Sequence, residues 1–167
     1  MTALPEGHLY AVVEIPKGSR NKYEWDEELN AIKLDRFLYS SVVYPLDYGF
    51  IRESLGEDGD PLDAMVLVSE PTFPGCLIEV KPIALFRMHD DKGSDDKIIC
   101  APVSDPNWNY FESLNDVPQQ LQDEISHFFA IYKNLEQKEV KVEGWFGLMD
   151  AWKVISEAQE RWKESHS

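Results

Sequence analysis

The chain has 167 residues, 43% of them hydrophobic, with 31 acidic against 16 basic side chains and a formal charge of −15. A length of this order suits one domain over residues 1–167, able to fold without disulfides or a structural metal. The acidity argues against a duplex nucleic-acid binder, whose footprint is basic. No run approaches the roughly 18 apolar residues of a membrane helix.

The start, Met1 to Leu9, carries Pro5, Glu6 and Gly7 rather than a basic segment followed by an apolar run, so a cytoplasmic location is expected. From there the chain reads as short strands: Leu9 to Ile15, Lys22 to Asp26, Ala31 to Arg36, Ala64 to Val68, Leu77 to Phe86 and Lys97 to Ala101. Pro16, Gly18, the stretch Tyr44 to Gly49, Pro71, Pro74, Gly75 and Gly93 read as the punctuation between them. After Pro118, the spacing of Leu121, Ile125, Phe128, Phe129, Tyr132 and Leu135 predicts an amphipathic helix. A strand from Val140 to Trp145 follows, then a helix from about Leu148 to Lys163 with Trp152, Ile155 and Trp162 on one side. The expectation is α+β, a small β-barrel with helices packed outside it. Cys76 and Cys100 lack C-x-x-C spacing and read as buried thiols.

The segment Asp58-Gly59-Asp60-Pro61-Leu62-Asp63 places three carboxylates just before an apolar strand. Asp58 and Asp60 are two apart, so an extended chain turns them to the same side, while Gly59 lets the backbone bend. Clustered carboxylates repel, and a hard divalent cation with oxygen ligands is an economical way to offset that. A solvated acidic turn is the competing reading. An EF-hand fits poorly, since Leu62, Asp63 and Ser69 stand where its loop needs a ligand, a glycine and a glutamate. A second acidic group, Asp90 to Lys97, lies between two predicted strands and can converge with the first.

Lys22, Arg36, Lys97 and Lys133 recur within or beside strands and the long helix. Each is open to reading as a surface charge, but a mixed lysine and arginine set also suits a compact polyanion. Tyr44 and Tyr48 could add hydroxyl donors, with core packing an equal alternative for Tyr44. His89 and His127 lack zinc-like partners and read as structural, and no nucleotide-binding glycine motif or nucleophile elbow is present.

Seven segments in order now resemble the soluble family I inorganic pyrophosphatases, closely to their bacterial branch: Glu14-Ile15-Pro16, Asn21 to Glu24, Asp35-Arg36-Phe37, Tyr44 to Gly49, Asp58 to Asp63, Asp90 to Lys97 and His127 to Glu136. The resemblance implies a five-stranded barrel like the OB-fold, magnesium as cofactor at several ions per site, and a homohexamer. It implies that Asp58, Asp63 and Asp95 hold the tightest metal, Asp63 shared with a second. Asp90 and Glu24 would hold metals arriving with substrate. Lys22, Arg36, Tyr48, Lys97, Tyr132 and Lys133 would contact phosphate, Asp60 would help deprotonate the attacking water, and Glu14 and Tyr44 would belong to the same cavity. Asp91 stands where glutamate is frequent, and His89 before Asp90 could make a pH-dependent local interaction.

The chemistry expected is hydrolysis of magnesium pyrophosphate to two orthophosphates (EC 3.6.1.1) by a hydroxide bridging metal ions, with no covalent intermediate. Calcium is expected to inhibit. A phosphohydrolase for nucleoside triphosphates or short polyphosphates remains open, as do a non-catalytic cation module and a single-strand-binding barrel.

Overall fold

The computed structural model describes residues 4–167, so Met1 to Ala3 of the opening segment read above lie outside the described residues. The strands are β1 (Leu9–Ile15), β2 (Asn21–Asp26), β3 (Ala31–Phe37), β4 (Asp47–Ile51), β5 (Asp63–Val66), β6 (Leu77–Asp90), β7 (Gly93–Pro102) and β8 (Lys141–Phe146). The helices are α1 (Gln119–Ile131) and α2 (Leu148–Ser165). β1 pairs with β4, β4 with β5, β5 in parallel with β7, β7 with β6, and β6 back with β1, which closes a five-stranded ring. β8 extends the outer edge of β6, and β2 with β3 forms a separate hairpin. The expected α+β barrel with flanking helices is therefore what the chain builds.

β4 was hidden in the sequence, because Tyr44 to Gly49 looks like turn chemistry. Its glycine serves a close approach rather than a turn: a Cβ on Gly49 would stand 1.8 Å from the Val12 carbonyl oxygen on the neighbouring strand. Asp47, which opens the strand, is buried and accepts hydrogen bonds from the Lys17 and Thr72 backbone amides and from the Thr72 hydroxyl. It ties two loops to the barrel.

β5 and β7 are buried on both faces, which is why they read as unbroken apolar runs. Ala64, Val66, Ile98 and Cys100 pack with Leu85 and with Ala151, Ile155 and Ala158 of α2. Met65, Ile99 and Ala101 pack with Phe86, Met88 and with Ile125, Phe128 and Phe129 of α1.

Three expectations are corrected in detail. α1 ends at Ile131, and Leu135 falls in a 3-10 turn where it is 64% exposed; the chain turns off there, and Glu136 reaches Arg36 beside the β2–β3 hairpin. The face α2 buries is Ala151, Ile155 and Ala158, with Trp152 and Trp162 only half-buried, because the small alanines are what sit against the strands. Cys100 is buried and its thiol is pushed well up by desolvation, whereas Cys76 is half-exposed at a loop edge. Among the described residues, no helix is long and apolar enough to cross a membrane.

Candidate active site

A cleft of about 1020 Å³ opens at one end of the barrel. Of the site residues singled out in the sequence, Glu14, Lys22, Glu24, Tyr48, Asp58, Asp60, Asp63, Asp90, Asp95, Lys97, Tyr132 and Lys133 all line it. Arg36 and Tyr44 do not. Tyr44 lies beneath, 2% exposed, with its ring 5.5 Å from Tyr48 and 4.7 Å from Phe128. Arg36 is held at the side by Asp35 and by Glu136, whose Oε1 is 2.9 Å from its Nε.

The floor is made by strand alternation. Asp95 and Lys97 are two apart on β7 and turn to one face, while Asp96 between them turns to the other and takes both prongs of Arg87, at 2.6 and 3.0 Å. Asp63 opens β5 opposite Lys97. The Lys97 ammonium is 1% exposed and spends its three donors on the Tyr48 hydroxyl at 2.6 Å, Asp63 at 3.0 Å and Asp95 at 3.2 Å. The Tyr48 and Phe129 rings also pack against it, 5.0 and 5.1 Å from the ammonium. Lys97 is thus the internal cation of the site, held protonated well above its usual range because Asp63 and Asp95 outweigh its burial. Burial, together with repulsion from Asp95, raises the Asp63 carboxyl against the pull of Lys97. Asp95, also buried, is nonetheless held low by Lys97.

Burial pushes the Tyr132 phenol up to about 12 and Tyr48 well above its ordinary value, so both remain neutral hydroxyls at neutral pH. Tyr48 accepts from Lys97, which leaves its own proton free to donate into the cleft. Lys133 is lowered by desolvation and by the neighbouring charges of Lys22 and Lys97. Lys22 is paired with Asp35 at 3.2 Å. Glu14, on β1, accepts from the Trp25 amide at 2.8 Å and is raised to about 7, chiefly by burial.

The other wall is the loop from Arg52 to Leu62, which carries Asp58 and Asp60. It folds on itself: Gly56 N–H donates to the Asp60 carbonyl, Asp60 N–H to Asp58 Oδ1, and Gly59 N–H to the Gly56 carbonyl. Gly59 takes φ 86°, which a side chain would resist. Asp60, exposed on this loop, is raised by partial desolvation and by the charge of Asp58 two residues before it. Asp90 ends β6, just before the turn to β7.

The acidic lining offers only carboxylate oxygens, the donor type that hard divalent cations take. Among the described residues, no three acidic, histidine or cysteine side chains stand close enough to hold one ion between them. Magnesium does not need that, since it keeps several waters and takes one or two carboxylates together with substrate phosphates. Asp63 and Asp95 already gather on one positive charge, that of Lys97. The residues fit the ion.

Sequence reasoning did not single out Arg52, Lys92, Trp162 or His166, which also line the cleft. The last two arrive from the end of α2, with Trp162 stacked on His166 at 4.0 Å. His89 points to Glu143 on β8 and is not in the lining; His127 is exposed on α1.

The profile of the inorganic pyrophosphatases matches residues 11–163. An inorganic pyrophosphatase of Methanosarcina mazei is 58% identical over 153 residues, covering 92% of this chain and 90% of that protein. The inorganic pyrophosphatase of Thermus thermophilus superposes with a TM-score of 0.93 at 42% identity, over 97% of this chain and 95% of that one. That of Helicobacter pylori does so with a TM-score of 0.92 at 37% identity, over 98% of both. With a closed five-stranded barrel, a two-poled cleft at its end and this extent of likeness to archaeal and bacterial proteins alike, the chain belongs to the inorganic pyrophosphatase family.

Proposed function

We propose that this chain hydrolyses inorganic pyrophosphate to two orthophosphates with magnesium. The observation that carries the proposal is a cleft in which the carboxylates of the Asp58 loop and of β5 and β7 stand among lysines and tyrosine hydroxyls, suited to a polyanion that arrives with cations. Membership of the family supports the substrate. Asp58, Asp63 and Asp95 would hold the tightest ion together with its waters, each giving a carboxylate oxygen, Asp63 would also serve a second, and Asp90 and Glu24 would hold ions that come with pyrophosphate. When bound there, magnesium would supply Lewis acidity, lowering the pKa of a water from about 15.7 towards neutrality and offsetting charge on the phosphates.

The protein's own groups do the rest. Asp60, next to the ligands and with its carboxyl raised by partial desolvation and by Asp58, accepts the proton of the attacking water. Lys22, Lys97 and Lys133 place positive charge on the phosphate oxygens, Tyr48 and Tyr132 donate neutral hydroxyls, and Arg36 contributes from the side. Tyr44 supports Tyr48 from beneath, and Glu14 fixes the β2 backbone at Trp25. The water oxygen bonds to one phosphorus as the bond from that phosphorus to the bridging oxygen breaks, and the bridging oxygen leaves with the second orthophosphate, so no phosphoenzyme forms. Calcium, with six to eight oxygens at about 2.3–2.6 Å against about 2.0–2.1 Å for magnesium, takes the same carboxylates without supporting turnover.

The chain functions as one domain over 1–167 and acts in the cytoplasm. It assembles as a homohexamer, a reading supported by the exposed Leu34, Phe37 and Tyr39 on and beside β3. Turnover of pyrophosphate, tripolyphosphate and ATP compared in magnesium tests the substrate: pyrophosphate is expected to be strongly preferred, and equal turnover of ATP would overturn it.

A further inference from the structure

Asp58 and Asp60 sit on a loop that is bonded to β1 at its start, where Arg52 N–H donates to the Tyr10 carbonyl at 2.9 Å, and that leaves the strands beyond it, so something else must fix the position of its carboxylates. Its neck is closed by Ile51 N–H donating to the Leu62 carbonyl at 2.8 Å and by the buried Ser54, whose hydroxyl donates to the Ile51 carbonyl and accepts from the Leu62 amide at 3.1 Å. Its tip is closed by the turn of Gly56 to Asp60. Between neck and tip, Leu55 is attached outward to α2 through both of its peptide groups. Its amide donates to the Ala158 carbonyl at 3.0 Å, and its carbonyl accepts from Arg161 Nη1 at 3.0 Å. Arg161 Nη2 stands 3.7 Å from Glu57, one residue before Asp58, and 3.8 Å from Glu157 on its own helix.

Ala158 and Arg161 are one helical turn apart, so both attachments come from the same place on α2. That place is rigid, because Ala151, Ile155 and Ala158 pack into the cluster that also contains Leu62, Ile98 and Cys100. The strands around Lys97 and the loop around Asp58 are therefore referenced to one another through this helix. The guanidinium fork is suited to the task, since its donors lie in one plane and can hold a carbonyl and a carboxylate together.

We infer that Arg161 is a positioning residue for the acidic wall of the cleft, holding the loop so that Asp58 and Asp60 face Asp63 and Asp95. The inference rests on the proposed magnesium site for its consequence, though not for the tether itself. It gives the carboxyl-terminal helix, which carries none of the residues assigned to metal or phosphate, a part in the reaction, as the support of the loop that bears Asp58 and Asp60.

The test is Arg161→Met, which keeps an apolar stem and removes the fork. Amide hydrogen exchange of the metal-free protein is expected to rise across residues 52–62 with the barrel strands unchanged. Calorimetry is expected to show magnesium binding weakened roughly tenfold, within the usual worth of a charge-assisted hydrogen bond. In turnover, the magnesium concentration for half-saturation shifts more than the rate at saturating magnesium, and Arg161→Lys, which keeps the charge and a donor, recovers part of both shifts. Unchanged exchange in the loop overturns the tether. Faster exchange with unchanged magnesium affinity overturns the positioning role. A parent protein that binds no magnesium sinks the metal reading instead, and the exchange result still decides the tether. Should Arg161→Met not fold, Arg161→Lys alone decides: it loses the planar fork, so it must show the smaller shift in the same direction, and parent-like exchange contradicts the inference.

Discussion

The two walls of the cleft are held by different means. Lys97, Tyr48 and Tyr132 are placed by the core: Lys97 is 1% exposed, and Tyr132 is 6% exposed against Phe128 and Phe129. Asp58 and Asp60 are exposed and are placed by a self-hydrogen-bonded turn and its tether to α2. The difference teaches where precision comes from in each half. On the packed side a side chain cannot move without disturbing the barrel, so charge is pre-organised there at no further cost. On the loop side the carboxylates are placed by a few hydrogen bonds rather than by packing, so the loss of one of those bonds can shift them.

Asp60→Asn is the substitution that should separate the two walls most sharply. It keeps the shape and the Asp60 amide bond to Asp58 but removes the proton acceptor, so turnover is expected to fall by about 10²- to 10⁴-fold with the fold intact. Retention of more than half the activity at neutral pH would remove Asp60 from the chemistry.

The next effect compares two cations of the basic side. Lys133→Ala and Arg36→Ala should each weaken substrate or transition-state binding by about 1.5–3 kcal/mol, the usual worth of a charge-assisted contact. They should differ in stability. Lys133 is half-buried with its ammonium 5.2 Å from the Tyr132 ring and, among the described residues, no ion pair, whereas Arg36 neutralises Glu136, whose side chain is only 6% exposed. A lower melting temperature is expected for Arg36→Ala alone, because removing one partner strands a buried charge. Parent kinetics in both variants would mean that both are ordinary surface charges.

The smallest effect is a pH dependence at the junction of the two walls. Glu14 releases its proton near 4.5 when unfolded and near 7 in the fold, so between those values the folded chain holds more protons. Stability of the metal-free protein should therefore fall as pH rises through that window. Glu14→Gln is expected to flatten this fall, as read from thermal unfolding at a series of pH values. An unaltered slope would place the titration on another group.

How much of this was legible in the sequence follows the same division. The spacing of Asp58 and Asp60 and the apolar runs of β5 and β7 are local patterns that point to the acidic loop and the barrel, whereas the wider set of cleft residues follows from the resemblance of seven ordered segments, and most of that set lines one cleft. β4 was missed because Pro45, Asp47 and Gly49 look like a turn, while the reason for Gly49 is the carbonyl of Val12 on another strand. Composition does not separate Asp95 from Asp96 within the acidic segment, and it is the pleat that sends the second to Arg87. Arg161 reaches Leu55 from 106 residues away, and no periodicity or motif records such a contact.

The central claim is that the two walls act together on one magnesium-bearing polyanion. Its most direct test is orthophosphate release by the purified, folded chain from pyrophosphate in millimolar magnesium, with and without EDTA. Two orthophosphates per pyrophosphate consumed, abolished by EDTA and restored by magnesium, is the predicted result; no release in magnesium, or release that persists in EDTA, would contradict it.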